Sequence, residues 1–254
     1  MRHNIILWGL LLVSLGARGL EATGRLVWGQ ETTVSTPASG MVMAVPVAVG
    51  DKVEEGTVLV RLDQRAFNAR LAAAGKHVER ARQAFEEAGR ELERTEELYD
   101  RTLLADHDLQ LARIAHVAAE AELRAAEARH VDRRLDLEYS VVRAPFAGMV
   151  VERHIHPGMA VVNTHVAIPL VTVASLNPYT VEATVSGEWV TAVAPGREVT
   201  LVMGDGRREG RVVSLLPEPS SPGVAVPGYV LRATLESDGA PAFHAGQEVR
   251  ILVP

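Results

Sequence analysis

The sequence predicts a mixed α and β, multidomain and elongated protein: a split β domain with an inserted α-helical coiled-coil hairpin, followed by a small β-barrel. Three observations carry that expectation. A short β-type motif is written twice, as "PASGMVMAVPVAVG" from Pro37 and "PFAGMVVERHIHPG" from Pro145, with Gly40 to Gly148 and Gly50 to Gly158 at the same offset of 108 residues. The stretch between the copies, Gln64 to Glu138, has no proline and only two glycines. After the second copy the chain breaks into short apolar runs separated by glycine-rich turns, the spacing of a small barrel or sandwich.

Taken in order, the chain opens with "MRHN" and the apolar run "IILWGLLLVSLGA". That run is shorter than the ~20 residues needed to span a bilayer. Residues 1–22 are therefore expected to be a secretory signal, cut between Gly16 and Ala22, with a short uncleaved anchor as the alternative. Residues 23–62 read as an N-terminal barrel strand followed by the first β half, with glycines expected at turns (Gly40, Gly50, Gly56). Residues 63–138 read as the hairpin. Phe67, Leu71, Ala74, Val78, Ala81, Phe85, Ala88 and Leu92 alternate spacings of four and three, a heptad seam. On the return, Leu109, Ala112, Ala119, Leu123, Ala126 and Leu137 share one heptad frame with His116, His130 and Arg133. The break falls near "RTLLADHD", so each helix holds roughly 35 residues and the hairpin is about 50 Å long. Residues 139–175 read as the second β half, with Gly148 and Gly158 in the places of Gly40 and Gly50. There Val150, Val161, Val166 and Ile168 answer Val42, Val53, Val58 and Val60. Residues 176–254 read as the barrel. Neither β copy can bury its own apolar face, so the two are expected to close into one domain around the ends of the hairpin.

Composition excludes several classes. The formal net charge is −6, which argues against nucleic acid as a partner. The absence of cysteine removes disulfides, thiolate metal sites and cysteine nucleophiles. The chain carries no phosphate loop, zinc-protease motif or nucleophile elbow. It is therefore expected to be neither an enzyme nor the holder of a cofactor.

This arrangement resembles the periplasmic adaptor subunits (membrane fusion proteins of the HlyD type) of bacterial RND-type efflux pumps. The features that carry the resemblance come in order: a leader, a lipoyl half ("SGMVMAVPVAVGDKVEEGTVLVRLD"), the hairpin, the second lipoyl half ("VVRAPFAGMVVERHIHPGMAV") and a barrel opened by "LNPYTVEATV" and closed by "FHAGQEVRILVP". The resemblance implies a non-enzymatic periplasmic protein associated with the inner membrane, joining an inner-membrane transporter to a TolC-type outer-membrane channel and assembling as a homo-oligomer, a hexamer. In many members the hairpin tip carries an arginine, a leucine four residues on and a serine seven after that. The matching positions here are Arg94, Leu98 and Ala105, so the first two carry over and the third does not. With no oxygen at Ala105 to cap the returning helix, Asp106 is expected to take over and shift the helix start by one. Many RND-class adaptors also continue past the barrel into a membrane-proximal domain. The sequence ends at Pro254, so the expectation is docking through the barrel alone or on another transporter class, such as an ABC exporter.

Other functions fit the sequence less well. A biotin or lipoyl carrier needs a lysine on the exposed turn, but the strand ends in "VRLDQRAF" and the chain's only lysines are Lys52 and Lys76. His154 and His156, two apart on an expected strand, with His165 nearby, have metal-ligating chemistry. Three surface histidines are the plainer account, and no metal is assigned. The "DHD" run from Asp106 is read as a helix-start cluster favoured by the dipole. A structural coiled-coil scaffold remains the non-transport alternative.

Overall fold

The computed structural model describes residues 20–162, 166–204, 206–217, 228–236 and 243–253. The expected leader up to residue 19, and His165, lie outside them. In chain order the elements are β1 (Leu20–Trp28), β2 (Glu31–Val34), β3 (Gly40–Ala44), β4 (Lys52–Val53), β5 (Val58–Leu62), α1 (Arg65–Asp100), α2 (Asp106–Tyr139), β6 (Val141–Arg143), β7 (Gly148–Arg153), β8 (Ala160–Val161), β9 (Val171–Ala174), β10 (Tyr179–Val185), α3 (Glu188–Ala192), β11 (Glu198–Met203), β12 (Gly206–Pro217), β13 (Tyr229–Leu235) and β14 (Glu248–Val253). They fall into two compact units. One combines the segment up to Gly29 with Leu176 onward; the other is Gln30–Ser175.

The first unit is a closed barrel in the order β1-β10-β13-β12-β11-β14. Its strands alternate because every second side chain faces the lumen. Val181, Ala183 and Val185 of β10 and Leu231, Ala233 and Leu235 of β13 are buried, and Trp189 of the short α3 joins the same core. Leu20, Glu21 and Ala22, placed in the leader by the sequence, pair here with Val253, Leu252 and Ile251 of β14.

In the second unit two four-stranded sheets, β2-β9-β7-β4 and β6-β5-β3-β8, enclose one apolar core. The repeat is used by exchange. β3 of the first copy pairs with β8 of the second, Gly40 opposite Val161. β7 of the second copy pairs with β4 of the first, Gly148 opposite Val53. Turn hydrogen bonds cross in the same symmetric way: Gly50 N–H donates to the Val150 carbonyl (2.8 Å) and Gly158 N–H to the Val42 carbonyl (2.9 Å). Gly50 and Gly158 sit at φ of +95° and +88°, in the left-handed region that β-carbons disfavour. Gly40 and Gly148, expected at turns, instead open strands β3 and β7.

These last two glycines are equivalent in sequence but not in packing. A β-carbon on Gly148 would stand 2.2 Å from the Ala174 carbonyl oxygen of β9, whereas one on Gly40 would find only ordinary contacts at 3.6 Å with Leu62 and Phe67. Gly148→Ala is expected to destabilise the unit by about 1–3 kcal/mol, the range for overpacking a tight contact, and Gly40→Ala to change little. Denaturant unfolding of the two variants would check the asymmetry; equal losses would contradict it.

Candidate functional site

The hairpin that holds the expected tip residues has its root built into the split β unit. Phe67, the first seam residue of α1, is buried among Val42, Leu59 and Leu62 in the sheet core, and Leu137 of α2 packs against the same cluster. A polar clasp closes the root. Thr36 Oγ1 donates to the Tyr139 carbonyl (2.6 Å) and Gln64 Nε2 to Ser140 Oγ (3.0 Å). Ser140, fully buried, donates in turn to the Leu137 carbonyl (2.5 Å), and its own carbonyl accepts the Leu62 N–H (2.8 Å). Each buried polar group thus has a partner, as burial requires. Sequence reasoning missed this clasp. Its only signal was the short polar residues flanking each helix end.

At the start of α1, Asp63 accepts from the Arg65 guanidinium (Nη2–Oδ2 2.5 Å, Nε–Oδ1 3.0 Å) and from the Arg65 backbone N–H (3.1 Å). The side-chain hydrogen bonds from Arg65, then its backbone N–H, hold the Asp63 carboxyl down at about 2.

Between root and tip, α1 (36 residues) and α2 (34 residues) pack along the heptad frame. Ala81, Leu123 and Ala126 form the buried centre, with Val78 and Phe85 against them. The polar members of the return frame lie on the seam as well. His116 stacks on Phe85 with ring centroids 4.9 Å apart and planes 29° from parallel. Arg82–Glu127 (3.8 Å) and Arg113–Glu96 (3.3 Å) are ion pairs that bridge the two helices.

The tip is a tight turn. Thr102 N–H donates to the Tyr99 carbonyl (2.7 Å) and Leu103 N–H to that of Leu98 (3.0 Å). Thr102 is left-handed, at φ +61°. Leu98 is half-buried under this turn, and Arg94, one turn back on α1, is exposed and ion-paired to Glu91 (2.8 Å). The turn therefore engages Leu98 but not Arg94. It also lifts Leu103 to 66% exposure, a residue the sequence reading did not single out although its signal, two leucines in a polar break, was available. Ala105 is the residue before α2, extended (φ −80°, ψ 153°) and without a side-chain cap. The expected shift to Asp106 does not occur: Asp106 is the first helical residue, and the Asp108 N–H is satisfied by the Ala105 carbonyl (3.1 Å).

The histidine candidates fare differently. β7 ends at Arg153, so strand alternation does not put His154 and His156 on one face. His154 Nε2 lies 3.3 Å from Thr172 Oγ1 and 3.3 Å from Glu152, while His156 is exposed. Among the described residues, no three His, Asp or Glu side chains gather to hold a metal ion. No described helix is long and apolar enough to cross a membrane.

Comparison with known proteins fits this geometry. The model of the CzcB-like barrel-sandwich hybrid domain matches residues 30–175, the whole split unit with its hairpin. The chain is 30% identical over 198 residues to the cation efflux system protein CzcB of Alcaligenes sp. (72% of this chain, 35% of that protein). It is 26% identical over 215 residues to the macrolide export protein MacA of Escherichia coli O157:H7 (78% and 58%). In fold it is similar to the membrane fusion protein Spr0693 of Streptococcus pneumoniae R6, with a TM-score of 0.72 at 19% identity, covering 92% of this chain and 98% of that one. The chain spans about half the length of the curated relatives it matches. It belongs to the CzcB-like barrel-sandwich hybrid family, whose members are membrane fusion proteins, the adaptors of efflux systems.

Two outcomes follow from the root and tip. Ala105→Ser supplies the missing cap and is expected to stabilise the hairpin by ~0.5–2 kcal/mol, read as a higher thermal midpoint; an unchanged midpoint would count against it. The depressed Asp63 carboxyl contributes stability that is present above its unfolded value near 4 and lost as pH falls toward about 2. Melts between pH 5 and 2 should show a loss that Asp63→Asn flattens.

Proposed function

We propose that this chain is the periplasmic adaptor of a tripartite efflux system, associated with the inner membrane and linking a transporter there, of the RND type, to a TolC-type outer-membrane channel. It works as a homo-oligomer, a hexamer, and serves the export of small molecules or metal ions. The observation that carries this reading is a helical hairpin clamped at its root by buried side chains and ending in an exposed apolar turn. That is the construction of a lever that presents a surface far from its base. Arg94, Leu98 and the turn through Ala105 are the channel-facing residues in this reading. Likeness to export proteins for cations and macrolides supports efflux without selecting a substrate. The same lever would suit an ABC-type exporter, and the pump present beside it decides between the two.

The test is site-specific photo-cross-linking from the tip in cells carrying the channel. Arg94→Glu with Leu98→Ala should cut cross-linking and export about tenfold or more, the loss expected of an interface anchor. Export and cross-linking that survive both changes would favour the scaffold reading instead.

A further inference from the structure

Glycine inside a helix costs about 1 kcal/mol relative to alanine, yet α1 holds two, Gly75 and Gly89, while α2 holds none. Each faces an imidazole of α2. A β-carbon on Gly75 would stand 3.8 Å from His130 Nε2, and one on Gly89 would stand 3.6 Å from His116 Cε1. The glycines are two heptads apart, and so are the histidines.

The rest of the seam explains why that spacing matters. One column of α1 repeats alanine every heptad (Ala74, Ala81, Ala88), and so does one column of α2 (Ala112, Ala119, Ala126). Such layers look the same after a slip of one heptad, about 10 Å along the axis. The neighbouring columns do not. On α1 one reads Asn68, Gly75, Arg82, Gly89, Glu96; on α2 the other reads Leu109, His116, Leu123, His130, Leu137. Both alternate with a period of two heptads. A one-heptad slip takes every imidazole away from its glycine and sets it against an Asn, Arg or Glu position.

His116 also bears a cost. Among the described residues its buried Nδ1 finds no hydrogen-bond partner, which is unfavourable. A leucine there would pack better. Polar residues at seam positions are the known means of fixing register at the expense of stability.

We propose that His116 and His130 are positioning residues that set the register of α2 on α1, each imidazole seating over its glycine. The root clasp fixes where the helices begin. The two His–Gly steps carry that alignment outward, one ten residues beyond Arg65 and the other eleven short of Asp100. They thereby hold the tip turn at a single height. The proposal stands whether or not the tip engages a channel.

The test uses the full chain, which has no cysteine of its own. Nitroxide labels on Ala69→Cys and Ala121→Cys, both exposed sites, report axial displacement by pulsed electron paramagnetic resonance. With the native seam a single distance is expected. His116→Leu with His130→Leu should keep or raise the thermal midpoint while adding a second population displaced by about 10 Å. Stability and register then move in opposite directions, which a purely structural role would not produce. Gly89→Leu should displace or broaden the distance, and His116→Ala added to it should restore the native value. A single unchanged distance in the dileucine variant overturns the proposal. So does a Gly89→Leu chain that keeps the native distance, or whose displacement the second change leaves in place.

Discussion

The structure of the split unit depends on strand exchange between the two copies of one motif. Each copy supplies only one strand pair, β3–β5 or β7–β9, and the other copy's strands flank it on both sides, β6 and β8 in one sheet and β2 and β4 in the other. The backbone groups that one copy leaves open are satisfied only by the other, and an open edge would be a liability. This obliges the chain to bring residues near 40 and 160 together, whatever lies between. Closing a long insertion costs little more than closing a short one, so a large hairpin is tolerated there. Exchange also ties both ends of the hairpin into one core, through Phe67 at the start and Leu137 at the end.

The hairpin itself has little core. Only Ala81, Leu123 and Ala126 form its buried cluster, with two partly buried neighbours. Its stiffness comes from helix geometry, and its alignment from a few larger contacts: the Phe85–His116 stack, the two cross-helix ion pairs and the root clasp. Surface pairs of this kind contribute little stability each. Their use here is directional. Two long helices with so small an interior are kept in step by such ties.

Much of this was legible in the sequence because the signals were periodic. The constant offset between Gly40 and Gly148 exposed the repeat, and the alternation of four and three from Phe67 exposed the seam. What escaped was decided by local chemistry that periodicity does not report. Ser140 reads as an ordinary residue after a helix, and only the fold shows it buried and bonded on both sides. Gly40 and Gly148 look equivalent, yet only one meets a carbonyl, because β9 runs on beside the start of β7 to Ala174, whereas β5, in the same place beside β3, ends at Leu62 opposite Val42. Asp106 was a reasonable cap on residue type, but the turn at Thr102 places Ala105 at the helix entrance and leaves Asp106 inside. Leu103 was passed over because an isolated leucine in a break says nothing until its exposure is known.

The barrel is sewn from strands that the ribosome delivers at very different times. β1 leads, but its neighbours β10 and β14 emerge only after the whole of Gln30–Ser175 has been made. Contacts so distant along the chain form slowly, and an unpaired apolar strand is vulnerable to association with other chains while it waits. The split unit, whose strands all lie within Gln30–Ser175, has no need of the late strands to close its own sheets. The barrel therefore cannot close before the module inserted within it has been made.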